Sequence, residues 1–345
     1  MEQTPVNSDG QRARKPRRDW FLRPACAIEA EQMSRSHPLA LEILLFIAVY
    51  LCSGMVQGLI IAIPACISLF SSEAFQAAMA GLIETGDSAA YMEAVMESAS
   101  SLPSWLHILN LFSTVIIIIG VIVYCRYIEK RSLRSMGLVR NGALREYLLG
   151  LGIGFALFCA ALLLCLVTGT LTIDGIAESF APLSVLLFFF AYLVQGMNEE
   201  LLCRGYFMIS VARRQSLPVA IFTNAALFAA LHLANTGIGV LSLINLFLFG
   251  VLMSVYMLKR GSIWGAAAMH SIWNFVQGNL FGISVSGTDA GASVFASTLT
   301  ARGTLINGGV FGLEGGLAVT LVLVSAILFL TFKLPPKVDF QRLTY

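Results

Sequence analysis

Adding the 30 glycines to the 57 % of hydrophobic residues makes about two thirds of this 345-residue chain apolar, where soluble domains average roughly 45–50 %. Charged residues are 12 % and the net charge is only +2. So few charges cannot clothe a soluble surface, and the same arithmetic excludes a disordered chain, a disulfide scaffold and a nucleic-acid binder. The composition specifies an all-α fold class, a polytopic membrane protein.

In chain order, residues 1–37 are polar and basic and are expected to form a disordered cytoplasmic tail. Their run of Arg and Lys from 12 to 23, with Trp20 and Phe21, suits an anionic lipid surface, and no cleavable leader pattern precedes the first apolar stretch. A span needs about 20 mostly apolar residues. Eight stretches qualify: Leu39–Phe70, Trp105–Cys125, Leu144–Thr170, Leu183–Cys203, Pro218–Gly237, Val240–Leu258, Ile263–Phe281 and Leu317–Phe332. Together they make a membrane domain over 38–335, followed by a second cytoplasmic tail, 336–345.

Charge sorts the connections. Of the 22 Lys and Arg residues, all but Arg302 fall in the tails or in the 126–145, 204–214 and 259–260 connections. The positive-inside rule then puts both termini in the cytoplasm. The outer loop 71–104 has helical spacing (Phe75, Met79, Leu82, Tyr91, Val95) and reads as a lid or surface helical hairpin. The outer loop 282–316 is rich in Gly, Ser and Thr through residue 312 and reads as flexible. The seven cysteines lack the paired spacing of a zinc ribbon or redox motif, and read as small apolar residues in a reducing or lipid setting.

Ionisable residues inside spans are costly and therefore mark candidate sites. Asn198-Glu199-Glu200 is followed by Arg204, so Glu200 and Arg204 can pair at i,i+4. Two adjacent carboxylates cannot share one arginine equally, and they will hold protons with different affinity. His232 lies within the fifth span, four residues after Phe228. His270 and Asn274 share one face of the seventh. Two glutamates, two histidines and an asparagine on three helices exceed what helix–helix adhesion requires. Asn245 and Asn224 read as interhelical hydrogen bonding, and Trp273 and Phe228 as packing.

Glu-Glu-x-x-x-Arg, Phe-x-x-x-His and His-x-x-x-Asn, in that order over Glu199–Asn274, resemble the motif set of the CAAX-protease and bacteriocin-processing family of intramembrane endopeptidases, whose eukaryotic members include the type II CAAX prenyl endopeptidase. Arg131-Ser-Leu-Arg-Ser-Met-Gly-Leu138 and Gly261-Ser-Ile-Trp264 are similar to stretches of bacterial members, so the likeness covers roughly 126–281, a protease-like core. The resemblance implies a peptide or membrane-protein substrate, a bilayer partner and a multi-pass protein of a bacterial plasma membrane. It implies that Glu199 activates water with His232, that Arg204 holds Glu200 in support (the two glutamates being interchangeable), and that His270 and Asn274 donate to the developing oxyanion.

No cofactor is expected. If a divalent metal such as zinc were used, His232, His270 and Glu199 or Glu200 would supply the three ligands that a catalytic zinc takes, but His-Glu-x-x-His is absent. Two other functions compete: a non-proteolytic immunity or scaffold protein of the same fold, and a proton-coupled transporter using the buried acids and histidines as a relay. One tension follows from 1.5 Å of rise per residue: Glu199 lies about 10 Å to the cytoplasmic side of its span's midpoint, and His232 about 6 Å the other way. A shared site requires the fourth span to break or tilt at Gly196, or the fifth to start later than Pro218.

Overall fold

Long apolar stretches must satisfy their backbone hydrogen bonds internally in lipid, and helices do this. The computed structural model describes residues 23–33, 36–89, 91–93, 95, 103–289 and 291–334. The principal helices are α1 (Ala25–Met33), α2 (Leu39–Phe70), α3 (Glu73–Thr85), α4 (Ser104–Ile128), α5 (Ala143–Val167), α6 (Pro182–Ala212), α7 (Leu217–Ala230), α8 (Val240–Arg260), α9 (Trp264–Phe275) and α10 (Leu317–Lys333). Strands β1 (Leu171–Ile176) and β2 (Phe295–Leu299) form one antiparallel pair. The protein is an all-α polytopic membrane protein with a single β clip.

Five helices, α2, α4, α5, α6 and α8, are long and apolar enough to cross a bilayer. The other three expected spans are short: α7 has 14 residues, α9 has 12 and α10 has 17. Leu51, Leu59, Ile63 and Ile67 leave one side of α2 exposed and apolar, a face for lipid rather than water. Proline at the first turn starts both α6 and α7, where its missing N–H costs nothing. Gly261 in the left-handed region ends α8 behind Lys259 and Arg260.

One expectation for the tails and the first outer loop is corrected. Residues 25–33 are not an open tail; they form α1, which buries Cys26, Ala27 and Ala30. The basic run 12–22, Trp20, Phe21 and the tail 336–345 lie outside the described residues. In the outer loop 71–104, α3 supplies one helical limb, with the Ser72 hydroxyl accepting from the Phe75 N–H at its start; much of the second limb also lies outside the described residues.

The glycine-rich loop 282–316 is folded rather than an open tether. Its glycines mark backbone contacts, not slack. A Cβ on Gly312 would stand 2.0 Å from the Ser284 carbonyl oxygen, and one on Gly308 would stand 1.9 Å from that of Gly312. Gly308 and Gly312 also take positive φ, which side chains rarely adopt.

Glycines set the middle of the bundle as well. A Cβ at Gly150 or Gly154 of α5 would collide with the α9 backbone, at Gly265 and Met269. On the other side, Gly196 of α6 faces Ser271 of α9. Small residues thus let α9 sit at backbone distance from two neighbours, the device that replaces the hydrophobic drive inside a membrane.

Candidate active site

Close approach at Gly196 carries Glu199 and Glu200, one turn further along α6, to His270 on α9. Glu200 is fully buried, and its Oε1 accepts from Arg204 Nη1 at 2.9 Å. The same oxygen lies 2.9 Å from His270 Nδ1, so this nitrogen carries the ring proton when Glu200 is ionised. His270 Nε2 faces Glu199 Oε2 at 3.6 Å. One imidazole therefore stands between the two adjacent carboxylates.

The Arg204 guanidinium lies 4.4 Å over the Phe228 ring, a cation–π contact that gives Phe228 more than a packing role. From Leu201 to Met208 helix α6 widens into a π-helix, a form often associated with functional sites. The helix is continuous through Gly196, so it does not break there.

His232 reaches the site by another route. Helix α7 stops at Ala230, and His232 sits in the turn beyond it rather than within a span. Its Nδ1 lies 2.9 Å from the Phe228 carbonyl oxygen, an acceptor, which leaves Nε2 with its lone pair. The fifth stretch does not start late: α7 begins at Leu217, and it ends early.

Glu199, His232, His270 and Asn274 line one cavity of about 190 Å³. Glu200 and Arg204 stand behind its wall. The cavity also holds residues that the sequence reading passed over. Gln195, one turn before Glu199, donates from Nε2 to Glu199 Oε1 at 2.5 Å and accepts from Asn274 Nδ2 at 3.1 Å. It ties the base-like carboxylate to the carboxamide, and a polar side chain in an apolar span was the signal for it.

Glu314, from the folded outer loop, lines the same cavity. Burial pushes its carboxyl above the usual range, and hydrogen bonds from Ser286 oppose that rise. Asn245 holds this loop by donating to the carbonyls of Glu314 and Gly316. Asn224 instead donates to the Ser254 hydroxyl. Each asparagine bonds across elements, with its own partner.

Of the possible zinc ligands, Glu199, His232 and His270 line the same cavity. His270 Nδ1 and Glu200 are engaged with one another and with Arg204, and His232 Nδ1 is engaged with backbone. Among the described residues no three His, Cys, Asp or Glu side chains are placed to hold one metal ion.

No curated protein and no solved structure matches the chain. Residues 181–276, which run from the start of α6 through the end of α9, match the family described as "Type II CAAX prenyl endopeptidase Rce1-like".

Proposed function

From the match of residues 181–276 to the type II CAAX prenyl endopeptidase Rce1-like family, we infer an intramembrane endopeptidase that cleaves a peptide bond of a membrane-associated protein or peptide with a glutamate-activated water. One observation carries the reading: His270 bridges Glu200 and Glu199 at the wall of a polar cavity shared with His232 and Asn274. Clustering of the basic residues in alternate connections supports cytoplasmic termini.

In this reading Glu199 is the base. Its carboxylate takes one proton from water as the water oxygen bonds to the substrate carbonyl carbon, and His232 Nε2 accepts a hydrogen bond from the remaining O–H, which stays on that oxygen, and so orients the attack. Charge moves onto the carbonyl oxygen. Asn274 spends one N–H on Gln195 and has a second for that oxyanion. His270 donates there as an imidazolium, with Nδ1–H on Glu200 and Nε2–H on the cavity side. That form makes Glu199, Glu200, Arg204 and His270 neutral together. Collapse breaks the C–N bond, and Glu199 returns its proton to the leaving nitrogen.

Purified protein in lipid nanodiscs, incubated with an unbiased peptide library, tests this. Glu199→Gln is expected to lower cleavage roughly 10²–10⁴-fold with an unchanged thermal unfolding profile. Chelator treatment is expected to leave the wild-type rate intact. A Glu199→Gln protein that cleaves at the wild-type rate would refute the mechanism.

A further inference from the structure

Outside the segment matched to the family, the cavity receives a third carboxylate. Glu314 is over nine-tenths buried, and it is fixed on one side. Its Oε2 accepts from the Ser286 backbone N–H at 2.7 Å and from the Ser286 hydroxyl at 2.6 Å. Ser286 is itself held in the left-handed region, at φ 48°, with its carbonyl accepting from Asn235 Nδ2 at 2.8 Å. The Glu314 carbonyl accepts from Asn245 Nδ2 at 2.8 Å. These anchors on both peptide segments make the carboxylate a preorganised group, while its second oxygen has no described hydrogen bond.

The surroundings select the ligand. Glu199 and Glu314 both line the cavity, and among the described residues no lysine or arginine does. Arg204, the nearest guanidinium to the acids, is withdrawn behind the wall onto Glu200 and the Phe228 face. Arg204 and His270 are matched to Glu200 and Glu199, so Glu314 is the carboxylate of the cavity without a cation of its own among the described residues; a further anion is repelled there, whereas an ammonium or guanidinium meets a ready acceptor.

We propose that Glu314 is a specificity-determining residue: it receives a basic group of the bound peptide, a lysine or arginine side chain or an amino terminus, and the cavity disfavours an acidic residue or free carboxylate there. This rests on the endopeptidase reading for the chemistry that follows binding. It adds the substrate class. Cleavage then falls beside a basic residue of the substrate rather than beside a terminal carboxylate.

The test uses the full chain in nanodiscs and three acetylated, amidated, fluorescent apolar peptides that differ only at a central Lys, norleucine or Glu. Wild type and Glu199→Gln are expected to bind the Lys peptide about tenfold more tightly than the norleucine peptide, the effect of one charge-assisted contact, with the Glu peptide weakest. In Glu314→Gln, which retains an acceptor for Ser286, the Lys advantage is expected to vanish. In the library assay, wild-type cut sites are expected to be enriched in Lys or Arg, and Glu314→Gln is expected to cut without that enrichment. Equal binding of Lys and norleucine peptides by the wild type overturns the proposal, even if Glu314→Gln fails to fold. So does a Lys advantage that persists in Glu314→Gln. Selective binding of the Lys peptide with no cleavage by any variant refutes the endopeptidase reading and leaves the recognition role standing.

Discussion

Two buried clusters of arginine and glutamate flank the π-helical stretch 201–208, and they are built to opposite ends. In the first, Arg213 bonds Glu42 and Glu129 at 2.9 and 2.8 Å, and Arg131 bonds the other Glu129 oxygen at 3.1 Å. Arg131 also donates to the carbonyls of Ser135 and Gly205 and to the Ser135 and Ser210 hydroxyls. Two cations meet two anions, away from the cavity. In the second, one arginine meets two carboxylates, and a histidine and a cavity take up the difference. The same residue types form a rivet where arginines alone balance the acids, and a candidate site where a histidine facing a cavity completes the balance.

The largest separation of the two clusters is expected in stability. Arg213→Met strands Glu42 and half of Glu129 in the interior and should cost about 3–5 kcal/mol, read as a lowered unfolding midpoint in detergent. Glu199→Gln, whose side chain is 26 % exposed to the cavity, should leave that midpoint in place while removing activity. If Arg213→Met unfolds like the wild type, the rivet is not one.

A smaller effect is expected where α6 meets α9. A Cβ on Gly196 would lie 2.3 Å from Ser271 Oγ and 2.8 Å from the Ser271 nitrogen. Gly196→Ala should therefore cost about 1–3 kcal/mol through overpacking, and slow peptide cleavage by shifting Glu199 against His270. Adding Ser271→Ala removes only the hydroxyl half of the clash and should restore part of both losses. Full restoration would show that the backbone contact is unimportant.

The smallest effect lies far from both clusters, at the β clip. Asp174 accepts from the Thr298 and Thr172 hydroxyls, and these bonds, Thr298 first, hold its carboxyl below the usual 3.8. A depressed folded value means that the bonds stabilise the clip above pH 3.8 and are lost as pH falls through the folded value. Amide protection across β1 and β2, taken relative to the intrinsic exchange rate at each pH, should fall on acidification in the wild type and be insensitive to that change in Asp174→Asn.

The residues of the candidate site were legible because a membrane makes polar groups conspicuous. Glu199, Glu200, Arg204, His270 and Asn274 are polar groups in apolar stretches at helical spacing, and the fold brings them to one place. Two things were not legible. Hydropathy does not show that α7 stops at Ala230, so it placed His232 inside a span, although the residue lies in the turn that follows. Nor does composition distinguish a glycine that loosens a chain from one that lets two backbones touch. The 282–316 loop looked like slack for that reason, and Glu314, its one described carboxylate in the cavity, went unnoticed.

A consequence follows from how the cavity is divided along the chain. The floor, with its acids, imidazole and carboxamide, comes from one contiguous stretch between α6 and α9, whereas Glu314 and Ser286 arrive on a separate roof pinned by Asn235 and Asn245. Grafting a different roof between α9 and α10 would then change which peptides are admitted while the machinery beneath is kept. On the proposed reading, a single scaffold of this kind would acquire new clients by exchanging the 35 residues from 282 to 316.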